Sequence, residues 1–315
     1  AVGYLVGEEH KGLAYMFHMM NEARVAVGLQ ATATGYAGYL ASVEYAKSRT
    51  QGRPVNAKDP SLPQVAIIEH ADVKRMLLAQ KAYVEGALAL GLYCTRLVDE
   101  QRSGTEPDGA RAHLLLEVLT PIAKSWPSQW CLEANSLAIQ VHGGYGYTKE
   151  FDVEQAYRDN RLNAIHEGAH GIHGLDLLRS KVVMHDGAGL TLLAERITAT
   201  IDKAETHVGT KQHADALRGA LTRLVDITGT LWAAGDISVT LANSTLYLEA
   251  AGHVVMAWIW LEQLLAAADG DGDFYDGKRA AGRFFFTYEL PKVGPLFDLL
   301  ASLDTSTVDA VPSWF

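Results

Sequence analysis

The sequence predicts an all-α protein in which an antiparallel four-helix bundle is followed by a second helical domain. Two observations lead to this fold class. From Leu13 onward, apolar residues recur every three or four positions, whereas the alternation typical of strands is nearly absent after Val6. Such spacing places apolar side chains on one face of a helix, and the many Ala and Leu residues favour helices.

Three stretches of loop composition divide the first part of the chain into four long helices. The helices are predicted at 12–49, 64–101, 109–145 and 150–184, the last broken near Glu167. Between them lie QGRPVNAKDPSLP, QRSGTEPDG and GGYGYTKE, which are rich in turn-forming residues. Long helices that turn back at such loops pack as an antiparallel bundle.

The Gly-rich stretch HDGAGL at 185–190 is the predicted domain boundary. Beyond it, helices are predicted at 190–206, 211–235, 237–268 and 278–301, followed by an extended tail, TSTVDAVPSWF. The predicted domains are therefore the bundle at 13–186 and an additional helical domain at 190–315. Residues 1–12 alternate small and apolar residues before a Gly-rich turn, and we interpret them as the end of a β-domain that this chain lacks.

Composition and charge argue against several classes of function. The formal net charge is −10 and the Lys and Arg residues are scattered, so nucleic acid is not an expected partner. The most apolar stretch, 254–265, is interrupted by Glu262 and is too short to cross a membrane. Cys94 and Cys131 both lie within helical patterns, which favours a reducing, cytoplasmic setting without disulfides.

The stretch HEGAHGIH at 166–173 contains the H-E-x-x-H pattern of zinc proteases. There, two His residues four apart hold the metal and the Glu acts as a base. His166 and His170 have this spacing, and His173 is a third candidate. However, Gly168 within a helix costs about 1 kcal/mol relative to Ala, and His173 comes too early for the longer zinc-protease pattern. We predict no metal site, and a zinc hydrolase remains only a remote alternative.

A second stretch, GDGDFYDG, follows Asp269 and is similar to a calcium-binding loop. An EF-hand needs Gly at its sixth position and Glu at its twelfth, where this chain has Phe274 and Ala280. A solvated turn between helices is the preferred interpretation.

Two helix ends have features that suit an anionic or planar ligand. In QVHGGYGYTKE at 140–150, glycines without Cβ atoms let backbone amides approach a ligand closely, although composition alone favours a plain turn. In YAKSRTQGRP, Arg49 and Arg53 lie on either side of a Gly. They could complement the helix dipole or bind a pyrophosphate, and spacing leaves both explanations open.

Taken together and in order, several segments resemble the acyl-CoA dehydrogenase family. They are VGEEHKGL, MMNEARVAVGLQ, YAKSRTQGRPV, IIEHADVKRML, AIQVHGGYGYTKEFDVEQAYRDNRLNAIHEG and GIHGLDLLRSKV. The resemblance covers residues 1 to about 184. Residues 190–315, with FYDGKRAAGRFFFTYELP, resemble the extra helical domain of longer members such as methylmercaptopropionyl-CoA dehydrogenases.

The resemblance implies an FAD-dependent desaturation of an acyl-CoA thioester, as in fatty acid β-oxidation. Glu167 matches the base that removes the α-proton, while the flavin accepts the β-hydrogen as hydride. A carboxyl group desolvated by substrate and flavin becomes a stronger base. Some members carry the base on the first helix, where this chain has Ala23 next to Glu22, so Glu167 is the predicted base.

The resemblance also implies binding residues and partners. The residues matched to FAD contacts are Arg49, Gln51, Gln140, Gly143, Gly144 and Ala169. The residues matched to the substrate side are Asn21, Arg24, Gly168 and Arg179. Because the family's FAD contacts come from a neighbouring subunit, a homodimer or tetramer is expected, with electron-transfer flavoprotein as the electron acceptor.

The chain departs from the family pattern at three places. His166 replaces a Tyr, Ala169 replaces a Thr that bonds the flavin, and Gly52 follows Gln51 where a Phe is usual. These changes bear on the flavin contacts and not on the fold. Arg158 and Asp159 are expected to order the loop that carries Glu167. The alternative is a non-catalytic or DNA-repair-associated flavoprotein on the same fold.

Overall fold

The structure, a computed structural model, describes residues 1–56, 59, 61–207 and 209–315. This described part consists almost entirely of helices and contains no strand, so the predicted all-α class is confirmed. Residues 1–6 form neither helix nor strand and are exposed. The only pairing of strand type among the described residues is an isolated antiparallel bridge between Thr50 and Ala66.

Four helices form the bundle, and their order follows the prediction. They are α1 (Gly12–Ser48), α2 (Ala71–Ser103), α3 (Asp108–His142) and α4 (Val153–Asn163). Helix α2 is antiparallel to α1, because Glu22 pairs with Arg102 near one end and Ser42 bonds Gln80 near the other. Helices α1 and α3 run parallel and very close together. A Cβ atom on Gly28 would lie only 2.0 Å from the Ala123 carbonyl oxygen.

The fourth predicted helix is broken near Glu167, as the sequence indicates. After α4 the chain forms a loop, then α5 (His170–Leu175) and a π-helix (Asp176–Lys181). Within the loop, Glu167 and Gly168 have φ angles of 55° and 97°, which no helix accommodates. The break therefore separates the last helix of the bundle from the segments that follow it.

The remaining helices pack on one side of the bundle. They are α6 (Met184–Glu205), α7 (Lys211–Ala233), α8 (Ile237–Leu241), α9 (Ser244–Ala266), α10 (Asp273–Phe284), α11 (Val293–Ala301) and α12 (Ser306–Asp309). Helix α9 is buried on nearly all sides, and Trp260 of α9 donates a hydrogen bond to the Ala82 carbonyl of α2 (3.1 Å). One apolar core thus runs through both parts of the chain.

Three predictions for this part are wrong in detail. The helix at 237–268 is divided, because Asn243 leaves the helical path and its side chain bonds the Asp304 carbonyl (2.9 Å). The helix at 278–301 is interrupted by a π-helix (Phe285–Glu289) and a 3-10 turn that contains Pro291, which has no N–H to donate. The tail predicted as extended forms α12 and the turn Pro312–Trp314.

The predicted boundary at 185–190 lies within α6. His185, Asp186 and Gly187 all have positive φ angles, which kink the helix at its first turn. Among the described residues, no helix combines the length and the apolar composition needed to cross a membrane.

Candidate active site

The predicted site residues form two groups at opposite ends of the bundle. Arg24 lies in the first half of α1, and Arg49 follows its last residue, 25 positions further on. At 1.5 Å per residue, the two are separated by about 37 Å along the helix. The loop with Glu167 lies at the Arg24 end, and the Gly143–Tyr147 turn lies at the Arg49 end.

The loop that carries Glu167 adopts a left-handed backbone. Glu167 itself has a positive φ angle, which is uncommon for a residue with a side chain and indicates local strain. Gly168 is required sterically, since a Cβ atom there would lie 2.8 Å from His173 Nε2. The Glu167 side chain is partly buried, which suits a group that must exchange a proton with a ligand.

Two buried side chains hold this loop by its carbonyl groups. Lys124 Nζ of α3 donates to the Gly168 oxygen at 2.6 Å. His173 Nε2 of α5 donates to the Glu167 oxygen at 3.1 Å. Both side chains are fully buried. Sequence reasoning did not single out Lys124, although a lysine within the apolar run LTPIAKSW was a detectable signal.

Burial and neighbouring cations set the charges around the loop. Burial, with Arg24 and Lys124 nearby, lowers the pKa of His173 to about 3. Burial, with Lys124 and Arg161 nearby, lowers the pKa of His170 to about 4. Burial and Arg24 also lower the pKa of Lys124 to about 8, although the Glu167 carboxylate opposes this change. Near neutral pH both imidazoles are therefore uncharged, and Lys124 is mainly an ammonium.

Arg24, which lies near Lys124 and His173, also lines a cavity of about 380 Å³ together with Asn21. Arg24 Nη1 pairs with Asp176 Oδ2 at 2.9 Å, and the Asn21 amide and Lys181 both contact the Glu117 carboxylate. Two of the predicted substrate residues, Asn21 and Arg24, thus line the same cavity. Acidic and basic side chains that pair with one another surround them.

The π-helix explains how two of the cavity's charged groups reach the same side. Asp176 and Lys181 are five residues apart, a spacing that separates side chains by about 140° in an α-helix. The wider π-helical turn brings both of them to the cavity. Arg179 lies on the same segment and is exposed. Glu22, the neighbour of Ala23, is also exposed and pairs with Arg102.

The side chains that anchor α4 differ from those predicted. Arg158 is exposed and pairs with Glu154 of its own helix, and Asp159 accepts a hydrogen bond from Gln155 of the same helix (3.4 Å). The prediction that Arg158 and Asp159 order the loop is therefore wrong. Their neighbour Asn160 is buried instead.

Asn160 joins three helices. Its amide donates to the Ala31 carbonyl (3.1 Å) and to Asn135 Oδ1 (2.7 Å), and its oxygen accepts from Asn163 (3.0 Å). This buried network fixes the end of α4 against α1 and α3, immediately before the loop with Glu167. Sequence reasoning missed it because the neighbouring charges in YRDNR are the more conspicuous residues.

The second group of predicted residues lies where α1 and α3 end. The Arg49 guanidinium is 5.7 Å from the centre of the Tyr145 ring, and it contacts the Gln51 amide oxygen at 3.5 Å. Arg49, Gln51, Gln140, Gly143 and Gly144 are all exposed. No carboxylate among the described residues pairs with Arg49, and a Cβ atom on Gly143 would meet nothing within 4 Å. The group therefore suits a ligand with negative charge and a planar ring.

The histidines of HEGAHGIH are not arranged as the ligands of one metal ion. His166 Nδ1 contacts the Leu162 carbonyl (3.0 Å), and His173 holds the loop as described above. His170 Nε2 is buried and has no hydrogen-bond partner among the described residues. No group of three His, Cys, Asp or Glu side chains suited to a metal ion occurs in the described part of the chain, including the stretch around Asp269.

Comparisons with known proteins bear on both parts of the chain. Residues 10–181 match the family described as "Acyl-CoA dehydrogenase, C-terminal domain", and residues 193–310 match "Acetyl-CoA dehydrogenase C-terminal like". A 3-methylmercaptopropionyl-CoA dehydrogenase of Ruegeria pomeroyi is 37% identical over 90% of this chain and 50% of its own length. The broad-specificity linear acyl-CoA dehydrogenase FadE5 of Mycobacterium tuberculosis is 32% identical over 98% of this chain and 54% of its own.

A solved structure shares the fold. The Bacillus anthracis acyl-CoA dehydrogenase complexed with FAD superimposes with a TM-score of 0.74 at 16% identity, over 96% of this chain and 52% of that one. The chain thus spans about half the length of the curated relatives it matches. The family resemblance found in the sequence is confirmed.

Proposed function

The chain belongs to the acyl-CoA dehydrogenase family, and from this premise we propose that it supplies the catalytic base and the helical bundle of an FAD-dependent acyl-CoA dehydrogenase. The proposed reaction is the α,β-desaturation of an acyl-CoA thioester. One observation carries the proposal. Glu167 lies on a strained loop whose two carbonyl groups are held from the interior, at the end of the bundle where Arg24 and Asn21 line a cavity.

In this proposal, the Glu167 carboxylate removes the α-proton of the thioester. Lys124 and His173 fix the backbone on which the carboxylate stands, so that little reorganisation is needed at the moment of transfer. Gly168 leaves space for the thioester next to the base. Asn21, Arg24 and the exposed Arg179 are proposed to contact the CoA part of the substrate.

FAD, when bound, accepts the β-hydrogen as hydride. The residues proposed to hold it are Arg49, Gln51, Gln140, Gly143 and Gly144, with Ala169 near the flavin. Arg49 fits the pyrophosphate because it is exposed and pairs with no carboxylate among the described residues. Ala169 has no hydroxyl and leaves any contact with the flavin to its backbone.

The two groups of site residues serve different flavins in this proposal. About 37 Å along α1 separates Arg24 from Arg49, which is too far for both ends to contact the same reacting centre. We therefore propose a homo-oligomer, in which Arg49 of one subunit contacts the FAD used by Glu167 of another. Electron-transfer flavoprotein is the proposed electron acceptor.

The test is a comparison of Glu167→Gln with the parent holoenzyme. The variant should retain FAD but lose the bleaching of its absorbance when butyryl-CoA or longer acyl-CoA substrates are added. Glu154→Gln makes the same change on an exposed side chain of α4 and should bleach normally. If the flavin of Glu167→Gln still bleaches, Glu167 is not the base. If Glu22→Gln loses bleaching instead, the base lies on α1.

A holoenzyme that binds FAD but never bleaches would favour the non-catalytic flavoprotein. No feature of the site favours that alternative over the enzyme.

A further inference from the structure

We propose that Lys124 is a positioning residue for this proton transfer, acting on the Glu167 loop through the Gly168 carbonyl. The inference rests on the proposed role of Glu167. Lys124 lies in α3, and it is not one of the site residues predicted from the sequence.

The geometry of Lys124 differs from that of an ordinary lysine. Its side chain has no exposed surface, and its ammonium donates to the Gly168 oxygen at 2.6 Å. No carboxylate oxygen of the described residues lies within 4 Å of it, so no ion pair offsets the loss of hydration. Burying an ammonium without such a partner is unfavourable. Packing alone does not account for a lysine here, because a methionine would fill similar space without that cost.

Four ionisable groups lie near Lys124, and they come from three segments. They are Arg24 of α1, Glu167 of the loop, and His170 and His173 of α5. Three of these groups contribute little positive charge near neutral pH. Asp176 neutralises Arg24, and burial keeps both histidines uncharged.

Lys124 acts on Glu167 through the backbone. Its ammonium donates to the carbonyl of Gly168, the residue that follows Glu167, and both residues have positive φ angles. A buried donor at this carbonyl fixes the position from which the Glu167 side chain projects. Lys124 therefore positions the proposed base without contacting the substrate itself.

The experiment uses FAD-loaded holoenzyme that contains this chain, with Lys124→Met, Lys124→Arg and a control, Lys278→Met. Lys278 is another poorly exposed lysine, paired with Glu85 between α10 and α2, so its loss tests for general destabilisation. The first-order rate of flavin reduction by butyryl-CoA is measured across pH. Amide hydrogen exchange of residues 164–170 is measured in the same samples.

Lys124→Met should lower the plateau rate by about tenfold to a hundredfold, because a slightly misplaced loop loses near-attack geometry. Exchange of the loop amides should quicken, because the Gly168 carbonyl loses its buried donor. Lys124→Arg keeps a donor at this position and should recover part of the rate and of the protection of the loop. Lys278→Met should leave both the rate and the loop exchange as in the parent enzyme.

Exchange of residues 164–170 is compared with exchange of the rest of α3 and α4 in the same sample, so a general loss of stability is recognised as faster exchange throughout. Unchanged exchange of the loop in Lys124→Met, or equally fast exchange in Lys278→Met, would overturn the inference. If the proposed function itself is wrong, the result is different, because acyl-CoA would then still reduce the flavin of Glu167→Gln. If Glu167→Gln is inactive and Lys124→Met has the parent profile, only the inference about Lys124 is wrong.

Discussion

Arg24 and Asp176 form a buried ion pair, 2.9 Å between Nη1 and Oδ2, that connects residues 152 positions apart in the chain. The pair joins α1 to the π-helix and borders the cavity that Asn21 also lines. The Arg24 side chain is 8% exposed and that of Asp176 is 21% exposed. Asp176 therefore neutralises a guanidinium that water reaches only poorly.

Removing the acidic partner should be costly. We expect Asp176→Asn to lower the free energy of unfolding by about 3 kcal/mol, because it leaves a buried guanidinium without its counter-charge. Asp72→Asn breaks an exposed pair with Arg75 and should cost less than about 1 kcal/mol. Urea unfolding of the two variants measures the difference. Equal losses would mean that the Arg24 pair stabilises no more than a surface pair.

Gly168→Ala should disturb the loop directly. A Cβ atom at this position would lie 2.8 Å from His173 Nε2, and the φ angle of 97° disfavours any residue other than Gly. We expect a loss of about 1–3 kcal/mol in the free energy of unfolding. Gly171→Ala, three residues later in α5, is the matched control. There the nearest atom is 3.9 Å away, and Ala should be neutral or stabilising. Similar melting temperatures for the two variants would contradict the described loop conformation.

Arg49→Met tests the FAD contact at the far end of α1. Because Arg49 is exposed, its loss should leave the melting temperature of the apoprotein unchanged. Loss of a charged contact to the pyrophosphate should weaken FAD binding by about tenfold or more, measured by fluorescence titration of apoprotein. Arg158→Met removes another exposed arginine, which pairs with Glu154 of its own helix, and should bind FAD normally. An unchanged dissociation constant in Arg49→Met would remove Arg49 from the proposed site.

We expect the buried His253 to make the folded protein less stable in acid. It is fully buried beside Trp126 and Trp130, and burial lowers its pKa from 6.5 to about 4. The unfolded chain therefore binds a proton between pH 6.5 and 4 that the folded chain does not, so stability falls as pH decreases through this window. His253→Leu should be less acid-sensitive, gaining roughly 3 kcal/mol relative to the parent between pH 7 and pH 4.

The control for that experiment is His207→Leu, which alters an exposed histidine. It should change little between the same pH values. Parallel stability profiles for the parent and His253→Leu, from guanidinium unfolding at each pH, would show that His253 does not contribute to acid sensitivity.

Much of the fold was predictable because helical periodicity is local. The spacing of apolar residues located both ends of α1 and α3 within three residues, whereas the predicted start of α2 at 64 is seven residues before its first residue, Ala71. Prediction failed where a distant contact decides the outcome. Asn243 leaves the helical path and bonds the Asp304 carbonyl, which lies 61 positions away, so no local pattern could divide the helix at 237–268.

At the site, the sequence indicated a break in the helix near Glu167, and its resemblance to the family predicted which residues contact substrate and flavin. That Lys124, 44 positions before Gly168, holds this loop from the interior depends on the tertiary structure. It also decided that Asp176 neutralises Arg24 and that Arg24 and Arg49 lie far apart. The physical reason is that backbone preferences act between near neighbours, whereas these contacts depend on how close-packed helices place residues far apart in the chain.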